Sequence, residues 1–110
     1  MIKETISSIE AKIQGSQSIN DERRRELLEL LGTLKSEVDT LSITHGEQAQ
    51  SIAGFTERSA HEATRSEQNP ELLELSLKGL ASSVTGFEKS HPKLVQVVNA
   101  VSNTLSNLGI

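Results

Sequence analysis

Three histidines, at positions 45, 61 and 91, are the residues of this chain best suited to acid–base or metal chemistry. No two of them stand four residues apart, so none forms the pair that places two metal ligands on one helix face. Glu57 precedes His61 by one helical turn, but this spacing is also that of an ordinary surface pair. His91 falls on an apolar stripe beside Pro92, where its ring could bond free carbonyls at a helix end or lie at the rim of the core. We favour a structural role for His91 over a catalytic one.

The sequence contains no motif that clearly indicates nucleophilic catalysis or phosphoryl transfer. The segment Lys78-Gly79-Leu80-Ala81-Ser82 resembles the lysine–glycine region of histidine phosphotransfer bundles, but Leu75 stands where such domains carry their histidine. Serine is plentiful, yet no Gly-x-Ser-x-Gly motif is present for a serine hydrolase. The sequence contains no cysteine, which excludes disulfides, thiol catalysis and zinc–thiolate sites. We therefore expect no catalytic residue, no metal site and no cofactor.

Composition and charge narrow the classes of partner. Fifteen acidic and eleven basic side chains give a net charge of -4, which repels a phosphate backbone and argues against a nucleic-acid partner. Besides histidine, the only aromatic residues are Phe55 and Phe87, so a partner surface is expected to be aliphatic. The N-terminus carries charges within its apolar pattern, unlike a signal peptide, and no apolar run is long enough to cross a membrane. We expect a soluble cytoplasmic protein with no membrane contact.

The first 42 residues predict two helices. Isoleucines at positions 2, 6, 9 and 13 repeat at helical spacing, and Gly15 is suited to end that helix in a left-handed conformation. Asn20 or Ser18 is a natural N-cap for a second helix, whose apolar stripe consists of Leu27, Leu31, Leu34, Val38 and Leu41. The arginines at 23–25 follow acidic residues at the spacing of surface ion pairs, so we interpret them as a solvated helix face.

The stretch 43–69 is less regular, because its apolar residues are few apart from four alanines. The heptad repeat of the second helix, carried into this stretch, meets His45, Gln48, Ile52 and Phe55. Alanine favours a helix, whereas Gly46 and Gly54 oppose one. We interpret the stretch as a partly frayed extension of the second helix.

A third helix is predicted to begin at Asn69-Pro70-Glu71, which combines a capping amide, a proline at the first helical position and an acid in the first turn. Its seam consists of Leu73, Leu77, Leu80, Val84 and Phe87. Beside the seam runs a stripe of small residues, where we expect another backbone to approach closely: Gly79, Ser82, Ser83 and Gly86.

A turn at Ser90-His91-Pro92 is predicted to separate the third helix from a fourth, although a single helix kinked at Pro92 would keep the same heptad count. The seam of the fourth helix consists of Leu94, Val98, Val101, Leu105 and Leu108. Gly109 and Ile110 predict a Schellman ending, in which Ile110 folds back onto Leu105.

Several of these stretches resemble a small family of bacterial proteins known only as a domain of unknown function, number 4404. The resemblance lies in the short N-terminal helix, in a stretch like SINDERRRELLELL, and in a closing signature like FEKSHP followed by a helical run and NLGI. It covers Met1 to about Ser42 and about Leu72 to Ile110. The resemblance supports a helical fold, and it brings no activity, cofactor or catalytic residue.

These patterns predict an all-α protein, a single domain over residues 1–110, built as an antiparallel bundle or coiled-coil hairpin of about four helices. The first helix is too short to cover both leucine-rich stretches, so we expect a homodimer. We expect a protein-interaction module without catalytic activity that binds itself and an unknown protein partner. The alternatives are a histidine-using enzyme or phosphorelay component and an exported helical effector. The candidate structural or interaction residues are Phe87, Ser90, His91, Pro92, Leu94, Val98, Val101, Leu105, Gly109 and Ile110.

Overall fold

The computed structural model describes residues 2–108, and in this part of the chain the fold is all-α. The helices are α1 (Ile2–Gly15), α2 (Asp21–Ser42), α3 (Gly46–Thr64), α4 (Pro70–Ser83) and α5 (Pro92–Leu108). The predicted count of about four helices is therefore one too low. The additional helix is α3, which lies in the stretch interpreted as a frayed extension of the second helix.

Helix α3 lies at the centre of the molecule. It packs against each of the other four helices, whereas α1 packs against α2 and α3, and α4 packs against α3 and α5. Small side chains let neighbouring helices approach α3 closely. Most of the buried face of α3 is small: Ala49, Ile52, Ala53, Thr56, Ser59, Ala60, Glu62 and Ala63.

The predicted register of α3 is wrong. Gln48 is exposed and Phe55 is partly exposed, although the continued heptad places both on the seam. The heptad does not carry over because α2 ends at Ser42, and the turn at 43–45 starts a new helix with its own rotation. The hydroxyl of Ser42 donates to the carbonyl of Asp39 at 2.6 Å and helps to end α2.

The apolar seams of α2 and α5 are buried within one chain. Leu108, at the end of the α5 stripe, is half-buried, and every other residue of both stripes is at most 1 % exposed: Leu27, Leu31, Leu34, Val38, Leu41, Leu94, Val98, Val101 and Leu105. Helix α3 supplies the cover that the short α1 alone could not. The seams therefore do not require a second chain, and a dimer has to be argued from other surfaces.

Arg24 joins the end of α1 to α2. Its guanidinium donates hydrogen bonds to three backbone carbonyls at the end of α1 and in the following turn, those of Ile13, Ser16 and Ile19. These bonds satisfy carbonyls that a helix end leaves free. The solvated-face interpretation is therefore wrong for Arg24. The left-handed ending at Gly15 is also wrong, since within residues 2–108 only Gly86 has a positive φ, of 98°.

Capping residues start α2 and α4 as predicted. Asn20, and not Ser18, caps α2 by accepting from the backbone N–H of Arg23 at 2.8 Å. Asn69 caps α4, whose first residue is Pro70. The predicted break before Pro92 is confirmed, because α4 ends at Ser83 and the chain turns over residues 84–91 before α5 begins.

Candidate functional site

The candidate residues chosen from the sequence divide between the core and one end of the molecule. Leu94, Val98, Val101 and Leu105 lie in the core. Phe87, Ser90, His91 and Pro92 lie in or beside the turn before α5. Gly109 and Ile110, and with them the predicted Schellman ending, lie outside the described residues.

Three rings join the turn before α5 to the turn before α3. Phe87 meets His45 and His91 edge to face, with ring centroids 5.4 Å apart in each pair, and the two imidazole centroids are 6.1 Å apart. Nδ1 of His45 lies 2.8 Å from Oγ1 of Thr44, and Nδ1 of His91 lies 2.9 Å from Oγ of Ser90. Each imidazole is thus oriented by the hydroxyl of an adjacent residue.

Among residues 2–108, the hydrogen-bond partners of the two imidazoles in this ring cluster are hydroxyls and not carboxylates. A catalytic base is usually oriented by a carboxylate, which stabilises the imidazolium, and a hydroxyl supplies no such charge. Glu88, next to Phe87, uses both carboxylate oxygens to accept from the backbone N–H of Gly86, at 2.7 and 3.1 Å. Within residues 2–108, no three histidine or acidic side chains lie close enough together to hold a metal ion. The contacts of the cluster are those of ring packing between two turns.

His61 lies away from this cluster, on the side of α3 that faces α1. Its Nδ1 is 3.4 Å from Nζ of Lys12, an exposed contact between the two helices. Glu57 and Arg58 line the same shallow depression. These side chains are charged and solvated, which is the ordinary composition of a helix surface.

Exposed apolar surface gathers on α4 and the adjoining edge of α3. Of the four large apolar side chains exposed in residues 2–108, three lie here: Leu75, 63 % exposed, Leu72, 41 %, and Phe55, 40 %. Leu72, Leu75 and Gly79 are spaced by three and four residues and so share one stripe of α4. We name Phe55, Leu72, Leu75 and Gly79 the α4 surface. The fourth exposed side chain, Ile43, lies in the turn before α3.

The ring of Phe55 lies over Gly79. A Cβ added at Gly79 would stand 3.0 Å from Cζ of Phe55 and still closer to two other ring carbons, so the ring occupies the space that a side chain would need. The predicted close approach at the stripe of small residues is thus found at Gly79, but to a side chain and not to a backbone. It is not found at Gly86, where an added Cβ would meet nothing within 4 Å.

Charged residues of both signs border the α4 surface. Glu71 and Glu74 lie in the first half of α4 and Lys78 in its second half, while Arg58 follows Phe55 by three residues on α3. Nζ of Lys78 is 3.1 Å from Oε1 of Glu74, and both side chains are largely exposed. The border therefore carries two acids and two bases, whereas the whole chain has a net charge of -4.

A second apolar feature flanks the other side of α4. A groove of about 480 Å³ runs between α4 and α5. It is lined by Pro70, Leu73, Glu74, Leu77, Lys78, Ala81 and Ser106. Helix α4 is thus less covered than α3 on both of its sides.

Comparison with known families assigns the chain to a family. The sequence model of one protein family, described as Domain of unknown function (DUF4404), matches residues 27–110. The chain belongs to this family. The range matched by the DUF4404 model includes α3 and the rest of the middle stretch, which the resemblance described in the sequence did not cover. It begins at Leu27 and leaves α1 and Arg24 outside.

The wider comparisons add no activity to the DUF4404 assignment. No curated protein and no solved structure matches the chain. Over residues 2–108, none of the helices combines the length and hydrophobicity that a membrane span requires.

Proposed function

We propose that this DUF4404 domain is a protein-interaction module without catalytic activity, and that the α4 surface is where it binds a protein partner. The observation that carries the proposal is the grouping of Leu72, Leu75 and Phe55 on one exposed face. A single exposed apolar side chain is common on soluble proteins. A contiguous apolar patch bordered by polar residues is typical of an interaction site.

The way in which α4 is held supports the same role. Because α4 packs only against α3 and α5 among the described elements, its outer half faces solvent along its whole length. A regular helix with an exposed apolar stripe can pack against a helix of another chain in the ridges-into-grooves manner of protein cores. The patch is also preformed, so binding it requires little reorganisation of the backbone.

A histidine-using enzyme is the second candidate function, and the geometry favours it less. Nδ1 of His45 and Nδ1 of His91 each meet a neighbouring hydroxyl, and neither meets a carboxylate. A catalytic site of this kind needs a nucleophile, a base and a group that orients the base, all arranged around one cleft. The ring cluster supplies none of these relationships, which supports a packing role for His91.

Binding can be tested with one substitution on the α4 surface and one matched control. Full-length Leu75→Lys is expected to lose the proteins that the wild-type chain retains from a lysate of its source organism, because it places a charge in the centre of the patch. Ile43→Lys introduces the same side chain at the other strongly exposed apolar position and is expected to retain them. A partner retained equally by both variants would place the binding site elsewhere.

The catalytic alternative has its own test. His91→Ala is expected to lower the thermal stability slightly and to leave any cellular phenotype of the protein intact whenever the fold is retained. A phenotype lost by His91→Ala at unchanged thermal stability would contradict the packing role and favour the enzyme.

A further inference from the structure

We infer that the partner of the α4 surface is a second copy of this chain, with the two α4 helices packed antiparallel about a two-fold axis near Leu75. The inference rests on the proposed function, since it identifies the partner of the same surface. In a two-fold interface the same patch is used twice, and each contact between two different residues occurs twice. The α4 surface meets this requirement in both its charges and its shape.

The order of charges along α4 selects the antiparallel arrangement. Glu71 stands four residues before Leu75, and Lys78 stands three residues after it. A two-fold axis at Leu75 therefore brings Glu71 to within one residue, about 1.5 Å along the helix, of the level of the partner's Lys78, and Lys78 equally close to the level of the partner's Glu71. Parallel packing would instead oppose like charges at both positions, which is destabilising.

The apolar residues complement one another in the same arrangement. Leu72 stands three residues before Leu75 and Gly79 four residues after it, so the partner's Leu72 arrives within one residue of the level of Gly79. At Gly79 the helix carries no side chain and the ring of Phe55 lies over it, so the partner's Leu72 meets the Phe55 ring at this level. The exposed part of the Phe55 ring is thereby covered by Leu72 of the partner subunit, and Leu75 packs against its own symmetry mate.

The local charge favours a second copy of the chain at this face in particular. Two molecules with a net charge of -4 repel each other at long range. The border of the α4 surface is neutral, because Glu71 and Glu74 are balanced by Lys78 and Arg58. Electrostatic repulsion between two copies is therefore weakest when they approach through the α4 surface, because its border is neutral.

The oligomeric state gives the first test. Sedimentation equilibrium of the full chain is expected to give twice the monomer mass of 11.9 kDa for the wild type and for Ile43→Lys, and the monomer mass for Leu75→Lys. Far-ultraviolet circular dichroism checks that Leu75→Lys keeps its helix content. A wild type that stays monomeric up to millimolar concentration overturns the inference. If the wild type is monomeric but captures another protein that the Leu75→Lys variant does not, the proposed function holds and the partner is that other protein.

Site-directed crosslinking tests the antiparallel register. The chain has no cysteine, so single cysteines report their own position alone. Leu75→Cys at the axis is expected to form a disulfide-linked dimer on mild oxidation, because facing Cα atoms of packed helices come within disulfide range. Ser82→Cys, seven residues further along α4, is expected not to crosslink, since the two sites would lie about 20 Å apart. Equal crosslinking of both variants would indicate parallel helices and overturn the proposed geometry.

A charge-reversal cycle tests the pairing of Glu71 with Lys78. Glu71→Lys and Lys78→Glu are each expected to weaken the dimer about tenfold, because each variant loses two surface pairs and gains repulsion. The double variant restores opposite charges across the axis and is expected to return to within a few-fold of wild-type affinity. A double variant at least as weak as the weaker single one would overturn the pairing.

Discussion

Most of the buried hydroxyl groups of this fold form a hydrogen bond within their own helix. The hydroxyls of Thr56, Ser76 and Thr104 each donate to the backbone carbonyl four residues earlier, at 2.7, 2.8 and 3.0 Å. Ser59 is fully buried in α3, and its Oγ has no hydrogen-bond partner. A buried hydroxyl without a partner has lost its hydration and gained nothing in return. Ser59 therefore stands out as a weak point in the core.

Replacing Ser59 by alanine is predicted to stabilise the protein. Ser59→Ala removes the unpaired hydroxyl and raises helix propensity, and we expect the free energy of unfolding to rise by about 1 to 2 kcal/mol. Ser51→Ala is the matched control, because Ser51 is an exposed serine of the same helix and changes propensity alone, worth about 0.5 kcal/mol. Urea unfolding of both variants measures the difference. If the free energy of unfolding rises less for Ser59→Ala than for Ser51→Ala, the buried hydroxyl of Ser59 has a hydrogen-bond partner and the prediction is wrong.

The contact between α3 and α4 shows how pairs of elements are fitted together. Phe55 stands nine residues before the end of α3 and Gly79 nine residues after the start of α4 (64 - 55 and 79 - 70), so the two helices run in opposite directions from their connection. Glycine weakens a helix interior relative to alanine by roughly 1 kcal/mol. At Gly79 this loss is offset by the space that the Phe55 ring fills.

A double-mutant cycle is predicted to reveal coupling between Gly79 and Phe55. Gly79→Ala alone is expected to gain little or to destabilise, because the new Cβ displaces the ring. In the background of Phe55→Ala the same change is expected to stabilise by about 1 kcal/mol, the ordinary difference in propensity. Gly32→Ala, in α2, is the control and should stabilise equally in both backgrounds, since a Cβ there meets nothing within 4 Å. Equal effects of Gly79→Ala in the two backgrounds would mean that the ring is easily moved.

The elements that were predicted correctly carry strong local signals, and α3 does not. Helices α2 and α4 are preceded by the N-caps Asn20 and Asn69, whose side chains accept hydrogen bonds from free backbone N–H groups of the first turn. The residue before α3 is His45, whose side chain makes no capping hydrogen bond. The buried face of α3 is largely alanine, which contributes little to an apolar pattern. A helix without a capping side chain or a leucine stripe cannot be recognised from its own sequence, and it is identified only from the helices that pack against it.

The α4 surface could be predicted only in part for the same reason. Leu72 and Leu75 are as apolar as Leu73 and Leu80, and their exposure depends on where α3 and α5 lie. The position of Phe55 depends on the register of α3, which restarts after α2 ends. Composition predicted an aliphatic partner surface, but the grouping of Leu72 and Leu75 with the aromatic Phe55 emerged only from the packing.

At the scale of the whole molecule, α3 connects every other helix to one core. The apolar seams of α2 and α5 are buried against it and against each other, and α1 covers a further side of α2 and α3. A substitution that disrupts the buried face of α3 is therefore expected to destabilise its packing against all four neighbouring helices. The five helices are expected to unfold as one cooperative unit.

A charge placed inside α3 is predicted to abolish this cooperativity. Ala53→Lys buries an unpaired ammonium group at a position that is 2 % exposed, and we expect a loss of at least about 3 kcal/mol and of the sharp thermal transition. Hydrogen exchange should show lost protection in α1 and α5 as well as in α3. Gln50→Lys is the control, because Gln50 is exposed on the same helix. Protection that persists in α1, α2 and α5 would show that α3 is an appendage to a smaller core.

The bond between Thr104 and Glu26 joins residues 78 positions apart, at 3.3 Å, where α5 closes over α2. Arg24, in contrast, fastens α1 to α2 through partners 5 to 11 positions away, so this hairpin can assemble early during translation. The side of α2 that packs against α5 then stays uncovered until the ribosome has synthesised α5. A nascent chain that stalls before Pro92 would expose this apolar side to solvent and require chaperone protection against aggregation.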